Sequence, residues 1–183
     1  MTLDLSTLAI VLGLAVAVPQ IYGLLYPQKF AEAVRKFPRN VPLGIFLMLL
    51  ATGWFLWNLK LETVSEFQRM KPYLYTGFAV VGIGSCIYVQ DLIAIRGLAV
   101  ILLLLGKLMV DSGRPMLNVT QWTLVIQTLA YIFVVAGIWF TISPFRLRDI
   151  LDWMVANEKR VKVGSALRLA FGLFVAALGL TVF

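Results

Sequence analysis

Two residue types that carry much of protein chemistry are nearly missing. The 183-residue chain has no histidine and a single cysteine, Cys86. An intramolecular disulfide, a cysteine-ligated iron–sulfur cluster and histidine-ligated haem are thereby excluded. A zinc or copper site would have to be built from carboxylates alone, a donor set those metals disfavour, so neither a metal nor a cofactor is expected. Acid is scarce as well. The nine acidic residues are Asp4, Glu32, Glu62, Glu66, Asp91, Asp111, Asp149, Asp152 and Glu158, and all fall at the ends of apolar runs or between them. No span carries paired carboxylates, and no nucleotide-binding loop, nucleophile elbow or metalloprotease helix occurs. The inventory argues against an enzyme, and no catalytic residue is assigned.

What is abundant is apolar surface. Hydrophobic residues fill 61% of the positions and mean hydropathy is +0.90, against roughly 45–50% apolar usage in a soluble domain. Six apolar windows stand out: about Leu5–Tyr26, Val41–Leu59, Tyr73–Val89, Leu92–Val110, Trp122–Ile142 and Val163–Phe183. Each approaches the ~20 residues that cross the ~30 Å hydrocarbon of a bilayer. The stretch from Tyr73 to Val110 is too long for one span, and Gln90-Asp91 near its middle marks a turn. The first window lacks the positive n-region and cleavage site of a signal peptide and reads as a retained helix. The expected fold is all-α: one transmembrane domain over residues 1–183, a six-helix bundle of hairpins at about 5–59, 73–110 and 122–183.

The net charge of +7 would point to nucleic acid in a soluble protein. Beside a membrane, cationic loops set orientation and meet anionic headgroups, so lipid is the expected partner and nucleic acid is not. Counted by alternate connections, one side holds Lys29, Arg35, Lys36, Arg39, Arg96, Arg146, Arg148, Lys159, Arg160, Lys162 and nearby Arg168. The other holds only Lys60, Arg69, Lys71, Lys107 and Arg114. Positive residues stay cytoplasmic, which places both chain ends on the opposite, periplasmic side.

The chain also repeats itself. Tyr26-Pro27-Gln28-Lys29-Phe30 follows the first window, and Ser143-Pro144-Phe145-Arg146-Leu147 follows the fifth. Phe30, Ala33, Val34 and Phe37 stand at i, i+3, i+4 and i+7, and Leu147, Ile150, Leu151 and Met154 repeat that spacing 117 residues later. One apolar stripe on an otherwise cationic helix is the pattern of a helix lying in the membrane interface, expected at about 28–38 and 145–156. The two end copies run in the same direction, which predicts a pseudo-two-fold axis along the membrane normal. Gly97 and Gly106, spaced nine apart like Gly44 and Gly53, raise the central pair as a reduced third copy. This unit of helix, Pro-bearing turn, amphipathic helix with Phe30 and Phe37 anchors, Pro38-Arg39 and glycine-containing helix resembles the YjeT-like small bacterial inner-membrane proteins. The resemblance covers about 50 residues at each end; it implies a bacterial inner membrane and no activity.

Ionisable and polar groups inside spans are functional candidates. Lys107 and Asp111, four apart, are expected to pair near the outer end of a helix. Gln20, Asn58 and Gln127 are candidates for packing glue between helices or, if they converged, for lining a solute path. Gly77, Gly82, Gly84 and Ser85 give one helix a small-residue surface that invites close approach by another helix of this chain or of another subunit. The expectation is a non-catalytic accessory or scaffold subunit of a membrane complex, with other membrane subunits or itself as partner. A small transporter or channel for a proton, anion or small solute is the alternative. Repeated hairpins with interfacial helices are reminiscent of mitochondrial carriers, whose acidic-basic signature after the proline is absent here: Gln28 and Lys29 follow Pro27.

Overall fold

The computed structural model describes residues 4–62 and 65–183; the side chains of residues 65–68, Glu66 among them, lie outside the described residues. Among the described residues there are eight α-helices and no strand: α1 (Leu5–Leu25), α2 (Pro27–Lys36), α3 (Val41–Leu61), α4 (Ser65–Tyr88), α5 (Ile93–Gly113), α6 (Thr123–Ile142), α7 (Pro144–Met154) and α8 (Glu158–Thr181). Five of them are long and apolar enough to cross a membrane: α1, α3, α5 with its 3₁₀ extension to Met116, α6 and α8. This is consistent with a membrane protein. α4 is not one of the five, because Pro72, Tyr73, Tyr75 and three glycines dilute its apolar run. It also starts eight residues before the apolar window at Tyr73. The intervening residues include Glu, Gln, Arg, Met and Lys, all good helix formers, so the helix outruns the hydropathy signal and Pro72 sits inside it.

The corners follow from proline chemistry. A proline disfavours helical backbone in the residue before it and suits the first position of a new helix. Tyr26 before Pro27 has φ −131° and ψ 66°, and Ser143 before Pro144 has φ −130° and ψ 72°. α1 and α6 therefore end the same way, and α2 and α7 start the same way. A 3₁₀ turn, Phe37–Arg39, follows α2, and Asn40 opens α3 by accepting the Leu43 amide at 3.1 Å. Asn157, 117 residues on, is extended like Asn40 and opens α8. The α4–α5 connection is a tight turn in which Leu92 takes the left-handed conformation at φ 54°, costing roughly 1–2 kcal/mol for a residue with a Cβ. Its carbonyl accepts the amides of Ile95 (2.9 Å) and Arg96 (3.2 Å), and its side chain packs on the cluster around Ile95, Ala99, Phe140 and Leu147.

Two of the four main helix contacts join helices that are not consecutive in sequence. α1 lies along α8, α5 along α6, α3 against α5, and α4 against α3. The closest approaches are made where glycines remove side chains. A methyl group at Gly172 would stand 2.7 Å from the Gly13 carbonyl oxygen and 2.9 Å from the Ala17 nitrogen, and one at Gly179 would stand 2.8 Å from the Ser6 carbonyl oxygen. These contacts make α1 and α8 antiparallel, so the start of α1 lies beside the end of α8. In the α5–α6 pair, Gly106 faces Ala130 and Val134, and Gly113 faces Gln127 and Thr123. Shifting Gly13, Ala17, Ser6 and Ile10 by 117 residues gives Ala130, Val134, Thr123 and Gln127. Shifting Gly106 and Gly113 by 66 gives Gly172 and Gly179. The two interfaces thus use positions related by constant sequence offsets.

Gly44 abuts Ile93 and Ala94, while Gly97 abuts Leu47 and Met48; residue numbers rise together, so α3 and α5 run parallel. Thr52 against Gly82 and Phe55 against Phe78 (ring centroids 4.4 Å) set α4 antiparallel to α3. α2 and α7 lie at the end of the bundle opposite the chain termini and touch each other, α2 also meeting α8 and α7 also meeting α5. On α7, Leu147 and Leu151 pack inward and Met154 is half-buried, while Ile150 is exposed; its counterpart Ala33 on α2 is exposed too. The stripe is one residue narrower than its spacing suggests.

Candidate functional site

Apart from the Lys107–Asp111 pair, the polar residues singled out by sequence make no hydrogen bond to one another among the described residues. Gln127, buried between α5 and α6, donates from Nε2 to the Val110 carbonyl at 3.3 Å. That is a bond between helices. Asn58 near the end of α3 donates to Trp54 in its own helix at 3.0 Å, and Ser85 does the same toward Val81 at 2.7 Å. Lys107 and Asp111 form the expected i,i+4 pair at 2.8 Å, half exposed. Gln20 is buried on α1, its Oε1 without a hydrogen-bond partner among the described residues. Among the described residues, none of these groups lines the grooves at α2, α7 and α8 or the one beside α6.

The small-residue face of α4 divides in two. Gly82 is filled by Thr52 of α3, whereas a methyl group at Gly77 or Gly84 would meet nothing within 4 Å. Among the described residues α4 makes extensive contact with α3 alone, Cys86 also packing by Ile93 at the start of α5, and Val80, Val81, Ile83 and Ile87 are exposed on it.

Two features lay outside the sequence expectations. The first is the α1–α8 seam of Ala9, Gly13 and Ala17 against Gly172, Ala176 and Gly179, whose three- and four-residue spacing of small side chains was the available signal. The second is a groove of about 560 Å³ at the α7–α8 corner, lined by Trp153, Met154, Lys159, Arg160, Val163, Gly164, Leu167 and Arg168. Its cations belong to the basic side of the charge count, but only the fold gathers them. The Arg160 guanidinium lies 5.0 Å from the Trp153 ring centre. A second groove, about 680 Å³ between α2 and the start of α8, carries both charge signs, Glu32 and Glu158 with Arg35, Lys36 and Arg39. There Arg35 ties α2 to the end of α7 by donating to the Val155 carbonyl at 3.1 Å. The Glu32 carboxyl is held below its usual range by the hydrogen bond and charge of Lys36, 2.7 Å away.

No protein-family model, no curated protein and no solved structure matches the chain.

Proposed function

We propose that the chain is a six-span bacterial inner-membrane protein, non-catalytic, that serves as an accessory or scaffold subunit and docks through α4 to another membrane protein or to a second copy. The observation that carries the docking is the open face of α4: it leans on one neighbour and presents Gly77 and Gly84 with no atom opposite. In lipid, where apolar surface alone drives little association, small residues that admit a close backbone are what helices pair on.

Six crossings are supported by direction. α3 and α5 are parallel, so if both span, the chain between them must return across the bilayer, and α4 is what connects them. Its 24 residues extend about 36 Å at 1.5 Å per residue, enough for the return. Both chain ends then share the periplasmic side. α2 and α7, rich in Arg and Lys, lie at the opposite end as interfacial amphipathic helices. The repeat is read as three copies, α1–α3, α4–α5 and α6–α8, in which the first helix of each copy packs on the last helix of another: α1 on α8, α4 on α3, α6 on α5. A two-copy plan would seat α6 on α3, as α1 is seated on α8.

The test is native mass determination and co-purification in a gentle detergent. Gly77→Leu and Gly84→Leu enter open space, so they should keep the fold and abolish a stoichiometric partner or self-association. Gly82→Leu should instead damage the α3–α4 contact itself. A wild-type monomer without partners would defeat the docking proposal. It would turn attention to the small-carrier reading, which the three-fold helix plan favours and which flux in liposomes with Gln20, Asn58 and Gln127 variants would decide.

A further inference from the structure

The α7–α8 groove combines features that a solvated basic face does not need. Lys159, Arg160 and Arg168 converge on it, no carboxylate lines it, and none of the three forms an ion pair among the described residues. Its other wall is apolar and faces outward: Trp153, Val163 and Leu167 are all exposed. Arg168 is half buried and lies five residues past Val163, where the apolar part of α8 opens, roughly 7 Å along the axis.

The repeat supplies an internal control. At the corresponding α2–α3 corner, the positions 117 residues earlier than Lys159, Arg160 and Arg168 are Pro42, Leu43 and Ala51; on α5, 66 residues earlier, they are Ile93, Ala94 and Leu102. The helix–turn–helix corner forms without a cation at any of these three positions, so cations there at one corner alone are not a requirement of the fold.

We infer that this groove is a specific site for an anionic phospholipid, the phosphate held by Arg160, Arg168 and Lys159 and an acyl chain laid along Val163, Leu167 and the Trp153 ring. A basic pocket at the cytoplasmic end of spanning helices suits such a headgroup, and arginine suits phosphate because its planar fork donates two parallel hydrogen bonds. The inference rests on the membrane-spanning reading of α8 and is independent of what docks on α4.

The experiment titrates the purified full-length protein in gentle detergent with dioleoyl phosphatidylglycerol, dioleoyl phosphatidylcholine or inorganic phosphate, and counts bound molecules by native mass spectrometry. One phosphatidylglycerol should bind in preference to phosphatidylcholine. The pair Arg160→Gln with Arg168→Gln should weaken phosphatidylglycerol about tenfold or more, since each cation near the headgroup contributes about 1 kcal/mol. Arg160→Lys with Arg168→Lys should retain most of the binding. Lys29→Gln with Arg146→Gln removes equal charge elsewhere on the same side and should change it less than about twofold. If the double Gln variant does not fold, exposed Lys159→Gln alone should weaken binding several-fold. Equal binding of both lipids, or equal loss in the Lys29/Arg146 control, would overturn the site. Displacement of the lipid by inorganic phosphate at similar concentration would overturn its assignment to lipid. Recovery of the chain in the soluble fraction would instead sink the spanning reading from which the site starts.

Discussion

The backbone-to-backbone seam between α1 and α8 gives the sharpest mutational prediction. At Gly172 an added methyl would stand 2.7 Å from one backbone oxygen and 2.9 Å from one backbone nitrogen, both on α1. Backbone in a helix cannot rotate away as a side-chain tip can, so α1 and α8 must part by roughly half an ångström or more, which already forfeits about a quarter of each dispersion contact along the seam. Overpacking of this kind costs about 1–3 kcal/mol. Gly77→Ala has the same chemistry with nothing within 4 Å, and should be neutral or stabilising by up to about 1 kcal/mol through helix propensity. Gly106→Ala should fall between them, because its nearest contact, at 2.6 Å, is a Val134 side-chain methyl. Reversible unfolding in mixed micelles with increasing dodecyl sulfate, followed by circular dichroism, measures all three. Equal stability for Gly172→Ala and Gly77→Ala would refute the claim that the α1–α8 seam is held by backbone proximity.

Two smaller effects can be read in the same preparation. Gln127→Leu removes the bond to Val110 but leaves that carbonyl bonded within α5, and should cost about 1 kcal/mol, the usual scale for a hydrogen bond between helices in lipid; a loss of several kcal/mol would give Gln127 a larger role. The Glu32 carboxyl titrates below its usual value of 4.5 in the fold. Its contribution to α2 is therefore fully present above the unfolded value and is lost as pH falls through the lower folded one. Amide exchange on α2 should be unaffected by protonation of Glu32 between pH 7 and about 5 and show reduced protection at lower pH. Glu32→Gln should remove that pH dependence; a change centred near neutrality would contradict the assignment.

Much of the helical layout was legible because it is encoded locally. Pro27 and Pro144 end one helix and start another by their own geometry, and the 117-residue offset between the stripes on α2 and α7 recurs in the helix starts. The windows erred where apolarity and helix formation separate: residues 65–71 are mostly polar but helix-forming, so α4 begins before its apolar run. Which helix packs on which was hidden, because the contact at Gly172 depends on Gly13 and Ala17 more than 150 residues away. Small residues spaced by four announce a close approach without naming the partner. Gln127 lies in a helix interface as its type suggested. Gly77, Gly82 and Gly84 looked like one surface but divide between an occupied and an open part, since Gly82 alone faces α3. The cationic groove was unreadable in advance because Trp153 and Arg168 converge only once α7 folds back against α8.

The return of the chain through α4 underlies both the topology and the docking surface, and one labelling experiment addresses it directly. In a Cys86→Ser background, Glu62→Cys and Gln90→Cys mark the two ends of α4, and intact cells are treated with a membrane-impermeant maleimide before and after permeabilisation. Glu62→Cys should label in intact cells and Gln90→Cys only after permeabilisation. Labelling of Gln90→Cys alone in intact cells would keep the crossing and reverse the orientation. Both positions labelling from the same side would contradict the crossing of α4, and with it the six-span architecture.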